Sequence, residues 1–295
     1  MEETLFFIVN ARTRPGIVSQ LNDAIQKHLQ GISTEIHCTE YGGHAPVLAQ
    51  EALSRGIRHI VAVGGDGTVN EIVQVVAGKN AILSIIPAGS GNGLARHCNI
   101  PLNTDEAVAL LKSGKPETID LGRANDIWFI SNAGVGFDAW VCNLIRQHKS
   151  RGLKMYVWEV FKNFFSYRPD TYQIVNEHET ITEKAWFLNA ANGREFGYGF
   201  QIATDAHLQD GMLDLIRVKS INLLKGAHFV WQGWRGKLRE NRNCRFAKIR
   251  SVHISSPNLK YFQTDGDAHD CDGNCNIIVV PDALQLWVPK QTKTL

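Results

Sequence analysis

At 295 residues with a formal net charge of +2, the chain can bury a sizeable core and suits two domains better than one; it lacks the concentrated basic surface that nucleic-acid binding needs. Its first residues carry acids where a signal peptide has its basic region, and no apolar run approaches a membrane-spanning length, so a cytoplasmic protein is expected. Six scattered cysteines then read as reduced thiols.

The first apolar run, 5–9, reads as a strand. A loop from Asn10 to Gly16 follows, whose Arg12 and Arg14 could equally reach phosphates or lie in solvent, and then a helix with Ile17, Val18, Leu21, Ile25 and Leu29 on one side. Residues 33–38 alternate as a second strand, and the segment from Thr39 leads into a helix bearing Leu48, Ala49, Ala52 and Leu53, with His44 packing at its start. Residues 57–63, rich in β-branched side chains, suit a buried strand of a parallel sheet.

Next comes Gly64-Gly65-Asp66-Gly67-Thr68-Val69-Asn70-Glu71. Val69, Ile72, Val73, Val76 and Ala77 follow a helical period, Thr68 and Glu71 have capping-box spacing, and Gly78 suits the residue just past the helix end. Three glycines therefore stand at a helix N-terminus, where residues without Cβ let backbone N–H groups approach an anion. The run is neither a P-loop nor a full dinucleotide fingerprint.

A fourth strand is expected at 81–86, and directly after it a second glycine-rich turn, Pro87-Ala88-Gly89-Ser90-Gly91-Asn92-Gly93-Leu94-Ala95-Arg96. A helix over 104–113, capped by Thr104 and stopped by Gly114 and Pro116, closes the alternating part. Alternating strands and helices imply a parallel sheet whose ligands gather beyond the carboxyl ends of its strands.

Beyond this point the rhythm changes to short strands at 117–123, 127–132, 172–175, 186–190, 212–218, 246–254 and 259–263. The predicted fold is α/β plus all-β: a parallel-sheet α/β nucleotide-binding domain over 1–119, then an antiparallel β-sandwich domain over 120–295 whose last residues could return to the first. Residues 140–167 and 223–239 are helical in pattern and aromatic, which fits membrane docking or simple core packing. Between His269 and Cys275 lie His, Asp and thiol groups, but no second Cys or His pair completes a zinc set, so Asp272-Gly273-Asn274 reads as a turn.

Phosphoryl transfer needs a cradle for the phosphates and a carboxylate to take the proton of the attacking hydroxyl. Three places offer acids: Asp66, the stretch Asp210-Gly211-Met212-Leu213-Asp214, and Asp265-Gly266-Asp267. Asp-Gly pairs are also ordinary turns.

The run from Gly64 to Glu71 resembles the signature of the diacylglycerol kinase catalytic-domain superfamily, which includes soluble bacterial lipid kinases and sphingosine kinases; a shorter Gly-Gly-Asp-Gly-Thr also occurs in NAD kinases. Gly89-Ser90-Gly91-Asn92 with Leu94-Ala95-Arg96 is similar to the sphingosine-kinase form, and with the late Asp265-Gly266-Asp267 it favours the lipid branch. In the first loop Asn10 and Gly16 match the family and the residues between them depart.

The resemblance implies ATP and Mg2+ as cofactors, with Asn10, Thr39, Gly64, Gly65, Asp66, Gly67, Thr68, Asn70, Glu71 and Ser90 at the nucleotide. Asp66 would organise magnesium and phosphate. Asp267, standing where the family has Glu, would accept the proton with Asp265 as its partner. Asp210, with backbone oxygens of His207 and Met212, would form a regulatory magnesium position. The function so implied is an ATP-dependent lipid kinase acting on diacylglycerol or a sphingoid-type lipid, with transient contact to a membrane surface and no nucleic acid; a homodimer is left open. The alternatives are an NAD kinase-like enzyme and, because Asp replaces Glu at position 267, a nucleotide- or lipid-binding protein with little kinase activity.

Overall fold

Residues 4–146, 148, 153–197, 199–219 and 222–290 are described by a computed structural model of the chain. Two units emerge, Met1–Asp120 with Pro281–Leu295, and Leu121–Val280.

In the first unit β1 (Leu5–Val9), β2 (Thr34–Cys38), β3 (His59–Gly64) and β4 (Ile82–Pro87) alternate with α1 (Ile17–His28), α2 (His44–Ser54) and α3 (Asp66–Val76), followed by the short α4 (Gly93–His97) and α5 (Thr104–Ser113). The strands pair in parallel in the order β2-β1-β3-β4. Helices cover both faces, which is why β1 and β3 are buried along their whole length and read as unbroken apolar runs. Leu5, Phe7 and Val9 meet Ile17 and Leu21 of α1 and Val108 and Leu111 of α5. Phe6 and Ile8 alternate to the opposite face, and α2 and α3 pack on each other and against β1 and β3.

Two helix starts differ from the sequence expectation. Asn103, not Thr104, caps α5: its Oδ1 accepts the N–H of Asp105 at 2.9 Å and of Glu106 at 3.3 Å, and Thr104 is the first helical residue. Adjacent residues with capping side chains compete, and backbone direction decides which faces the helix. Likewise α3 starts at Asp66 with Gly65 as N-cap, so Thr68 lies inside the helix and caps nothing. At its far end Gly78 takes the left-handed conformation expected of it, φ +69°.

The second unit is built on β6 (Ile127–Phe129), β7 (Asn132–Gly136), α6 (Phe137–Arg146), α7 (Leu153–Asn163), β8 (Asp170–Asn176), β9 (Thr180–Ala185), β10 (Phe187–Ala191), β11 (Glu195–Gly197) and β12 (Phe200–Gln201). It continues with β13 (Leu213–Val218), α8 (Leu223–Trp234), β14 (Cys244–Ile249), β15 (Ser251–Ser255), β16 (Tyr261–Thr264) and β17 (Asp267–Asp270). Two strands cross the division of the chain: β5 (Lys115–Ala124), which pairs with β6 through Gly122, and β18 (Asn274–Val288).

One sheet runs β14-β13-β10-β7-β16-β17, antiparallel throughout. A second antiparallel layer joins the start of β18 to β15, β8 and β9. Ala133, Val135, Leu188, Leu215 and Phe262 of the first sheet pack with Ile174, Val252, Ile254 and Ile277 of the second, which makes a β-sandwich. The other face of the six-stranded sheet, through Phe187, Ile216 and Val218, packs under side chains of α6, α7 and α8.

The strand expected over 127–132 ends at Phe129, and a separate β7 starts at Asn132. Its sequence, Asn-Ala-Gly-Val-Gly, looks like a turn by composition and becomes a strand because β10 and β16 flank it on both sides. The run expected over 246–254 breaks at Arg250 into β14 and β15, which belong to different sheets. Of the helical pattern expected over 140–167, residues 147 and 149–152 lie outside the described residues.

Candidate active site

In the first unit β1 is flanked by β2 and by β3, so the connections diverge and a crevice opens at the carboxyl ends of β1 and β3. Asn10 follows β1, Thr39 follows β2, the glycine turn of Gly65 follows β3, and Ser90 follows β4. Asn10 spans the crevice: its backbone N–H donates to Val63 O at 2.9 Å and its Nδ2 donates to Thr68 Oγ1 at 3.2 Å. Thr39 N–H donates to Val9 O at 2.9 Å, and within α3 Gln74 Nε2 donates to Asn70 Oδ1 at 2.9 Å, one turn beyond the half-buried Glu71. The Arg12 guanidinium is fastened to the carbonyl of Glu40, and that of Arg14 to Gln20 at 3.0 Å and to Thr104.

The two glycine turns interlock. A Cβ added at Gly89 would stand 2.5 Å from the Cα of Gly65, so the backbones touch only because both residues lack one. Asn92, left-handed at φ 55°, folds its side chain onto Gly89, with Nδ2 donating to Gly89 O at 2.8 Å and Oδ1 accepting Gly89 N–H at 3.1 Å. Asp66 completes the tie. Burial of its carboxyl pushes its pKa up, while the backbone N–H groups of Gly93, Leu94 and Asn92 that donate to it pull the other way. The residue as a whole remains exposed, and with solvent at hand the amide donors favour the ionised form. Asp66 therefore closes the start of α4, while α3, with Gly65 as its N-cap, has no side-chain cap of its own. Beside it Gly67 faces open space, with nothing within 4 Å of an added Cβ.

In the second unit the Asp265-Gly266 turn joins β16 to β17, with Asp265 left-handed at φ 48°. The Asp265 carboxylate is consumed by the backbone: Oδ2 accepts Ile130 N–H at 2.8 Å, and Oδ1 accepts Ser131 N–H at 2.8 Å and Asn132 N–H at 3.0 Å. Asp267, first residue of β17, is exposed. The structure thus gives the two acids of this turn different surroundings, Asp265 held by three backbone amides and Asp267 at the solvent-exposed start of β17.

Behind the turn lies a buried polar group that sequence reasoning missed. Asn132 Oδ1 accepts Asn189 Nδ2 at 3.0 Å and Gln263 Nε2 at 2.8 Å, and both amides also reach Asp138 Oδ2, at 3.4 and 3.2 Å. Gln263 Oε1 accepts the N–H of Gly266 at 2.9 Å, which connects the group to the turn. Burial lifts the pKa of Asp138, 4% exposed, to about 7 against the pull of Ala139 N–H, Asn189 and Gln263. The available signal was a polar residue recurring at buried strand positions, Asn132, Asn189 and Gln263, among apolar neighbours.

Asp210 is differently engaged from the magnesium position inferred for it. Its Oδ1 accepts Met212 N–H at 3.0 Å, and its Oδ2 lies 2.6 Å from Lys248 Nζ. Lys248 Nζ also lies 2.9 Å from Asp214 Oδ2, and Arg239 bridges Asp214 at 3.2 Å and Asp205 at 2.6 Å. An ammonium ion already neutralises the carboxylate, and among the described residues no group of three or more His, Cys, Asp or Glu is arranged to hold a metal. At the position inferred from Asp210, His207 and Met212, the Asp210 carboxylate is thus engaged by Met212 N–H and the Lys248 ammonium. Among the same residues no helix is long and apolar enough to cross a membrane.

Comparison with known proteins places these features in context. Residues 4–124 match the diacylglycerol kinase catalytic domain, and residues 131–288 the YegS C-terminal NAD kinase beta sandwich-like domain. The chain is 31% identical to a diacylglycerol kinase of Mycobacterium tuberculosis over 251 residues, 82% of this chain and 81% of the relative. It is 27% identical to a Pectobacterium atrosepticum protein described as "probable lipid kinase YegS-like", over 94% of this chain and 93% of the relative. In fold it resembles a Bacillus anthracis diacylglycerol kinase crystal structure, with TM-score 0.70 at 21% identity covering 98% of both chains. An Archaeoglobus fulgidus NAD kinase solved with ATP shares the fold more distantly, with TM-score 0.56 at 12% identity over 98% of this chain and 95% of the other.

Proposed function

Because the chain belongs to the diacylglycerol kinase catalytic domain family, we propose that it is an ATP-dependent lipid kinase that moves the terminal phosphoryl group of ATP to a lipid hydroxyl. The observation that carries this reading is the interlocking of the two glycine turns at the ends of β3 and β4, with Asn10 bonded across the crevice to Thr68. Asn10, Thr39, Gly64, Gly65, Gly67, Thr68, Asn70, Glu71 and Ser90 hold the nucleotide. The open space at Gly67 and the uncapped start of α3 are suited to an anion. Magnesium carried with the phosphates would screen their charge, and Asp66 offers it an exposed flank.

In the reaction the lipid hydroxyl oxygen bonds to the γ-phosphorus, the bond to the β,γ-bridging oxygen breaks, ADP leaves, and the hydroxyl proton passes to the Asp267 carboxylate. Asp265, its oxygens occupied by three amides, acts as a positioning residue that fixes the turn from which Asp267 projects. Diacylglycerol is the favoured acceptor, since the Mycobacterium tuberculosis relative bears that name. Purified protein given γ-labelled ATP with diacylglycerol, a sphingoid base and NAD tests the reading: label is expected in diacylglycerol. Label found only in NAD would sink it, and nucleotide binding without transfer to any acceptor would make the protein a binding module.

A further inference from the structure

Two helices of the second unit are apolar on their outward sides as well as their inward ones. Tyr156 and Val160 of α7 and Phe164 just past its end form one stripe that packs with Phe137, Trp186 and Phe187. Displaced by one residue, Val157, Trp158, Phe161 and, just past the helix end, Phe165 form a second stripe, of which Trp158 is 59% exposed and both phenylalanines 65%. On α8, Phe229 and Val230 enter the same core cluster, while Leu224, Trp231 and Trp234 are 80%, 50% and 57% exposed. Both helices pack on the Phe187, Ile216 and Val218 side of the six-stranded sheet. A helix flank in water is ordinarily polar, and clustered exposed aromatics mark an interaction surface.

The charges along these stripes are predominantly positive, the exposed Glu240 beside Lys237 being an exception past the end of α8. From Asn222 to Lys237 the chain has Lys225, Arg235 and Lys237 and no acid, and all three cations are exposed. The Arg235 guanidinium lies 5.2 Å over the Trp231 ring, with His228 stacked on the same residue at 5.7 Å. Exposed Lys162 and Arg168 flank the outer stripe of α7. Its one acid, Glu159, is 3% exposed and turned inward onto Asn163 at 2.7 Å and His148 at 3.2 Å. Tryptophan and phenylalanine flanked by Lys162, Arg168, Lys225 and Arg235, with the exposed Glu240 set beyond the helix end against Lys237, match the interfacial zone of an anionic bilayer: rings settle at headgroup depth while Lys and Arg meet lipid phosphates.

We propose that the outward faces of α7 and α8 dock the protein on an anionic lipid surface. The proposal draws its purpose from the lipid-kinase reading, but it is tested without turnover. The full chain is mixed with vesicles of phosphatidylcholine alone or with added phosphatidylglycerol, and sedimentation and tryptophan fluorescence are followed. Binding about tenfold tighter to the phosphatidylglycerol vesicles, weakened by salt, is expected. The pair Trp158→Ser and Phe161→Ser, and separately Lys225→Glu with Arg235→Glu, should each cut it about tenfold and leave transfer to detergent-dispersed diacylglycerol unchanged. Equal binding to neutral vesicles, or variants that bind as the parent does, would overturn the proposal. A stable dimer that the Trp158 and Phe161 variant splits would also overturn it, by showing that a second copy covers this face. Vesicle binding without phosphoryl transfer would instead count against the kinase reading alone.

Discussion

A methyl group on Gly89 would stand 2.5 Å from the Cα of Gly65, so the two glycine turns of the first unit are one packed object. Both turns are needed to make the crevice beside Asn10. Gly89→Ala is therefore expected to cost about 1–3 kcal/mol through overpacking and to lower Tm and ATP affinity together. Gly67→Ala separates the two effects. Its Cβ meets nothing within 4 Å and it lies inside α3, so alanine should stabilise by about 0.5–1 kcal/mol while ATP binding weakens because the methyl takes phosphate space. Thermal melts beside nucleotide titrations check both.

Lys248 stands 2.6 Å from Asp210 and 2.9 Å from Asp214, which is 1% exposed. Lys248→Met leaves a buried carboxylate short of a cation, and a loss of about 2–4 kcal/mol is expected, set below the fully buried case because Lys248 itself is 34% exposed. The parent's Tm should be indifferent to EDTA, whereas added divalent cation should partly restore the variant. A parent Tm that falls in EDTA would return a metal to this site.

Burial sets Asp138 at about 7 in the folded protein, against about 3.9 for an unfolded aspartate. The folded state therefore holds the proton more tightly. Its contribution to stability is complete below the unfolded value and fades as pH rises through about 7, at a slope of about 1.4 kcal/mol per pH unit within that window. In Asp138→Asn this slope should vanish, whatever the absolute stability of the variant. Denaturant melts between pH 5 and 8, with parent and variant paired at each pH, test it; a parallel pair of curves would contradict the assignment.

Asp265 accepts three backbone amides, so Asp265→Ala strips partners from Ile130, Ser131 and Asn132 and should cost about 3 kcal/mol. Asp265→Asn keeps one oxygen and suits the left-handed φ of 48°, so its Tm should lie between alanine variant and parent. Turnover should follow stability in this series rather than vanish in the better-folded variant.

What the sequence made legible was local. Glycine spacing and β-branched runs announced the strand-to-helix turns after β3 and β4, because composition and period act within a few residues. Pairings across long separations were not legible: Asp66 with the amides at Asn92 to Leu94, Asp210 with Lys248, Asp265 with Ile130 to Asn132. Each is an acid whose partner is chosen by topology, so as a sequence it resembled a catalyst or a metal ligand. β18 escaped for a different reason. Pro281 and the left-handed Asp282, φ 54°, interrupt its alternation where Asp282 N–H turns to Asp120 at 3.0 Å. Asp272-Gly273-Asn274 forms the expected turn, with Gly273 at φ 76°.

The proposed division of labour, with ATP held in the first unit and the proton taken by the solvent-exposed Asp267, is tested most directly by Asp267→Asn. ATP affinity and single-turnover label transfer to diacylglycerol are measured on the same preparation. Affinity within about twofold of the parent, with transfer reduced by roughly 10²–10⁴, is the expected result. Transfer at the parent rate would contradict it and remove Asp267 from the chemistry.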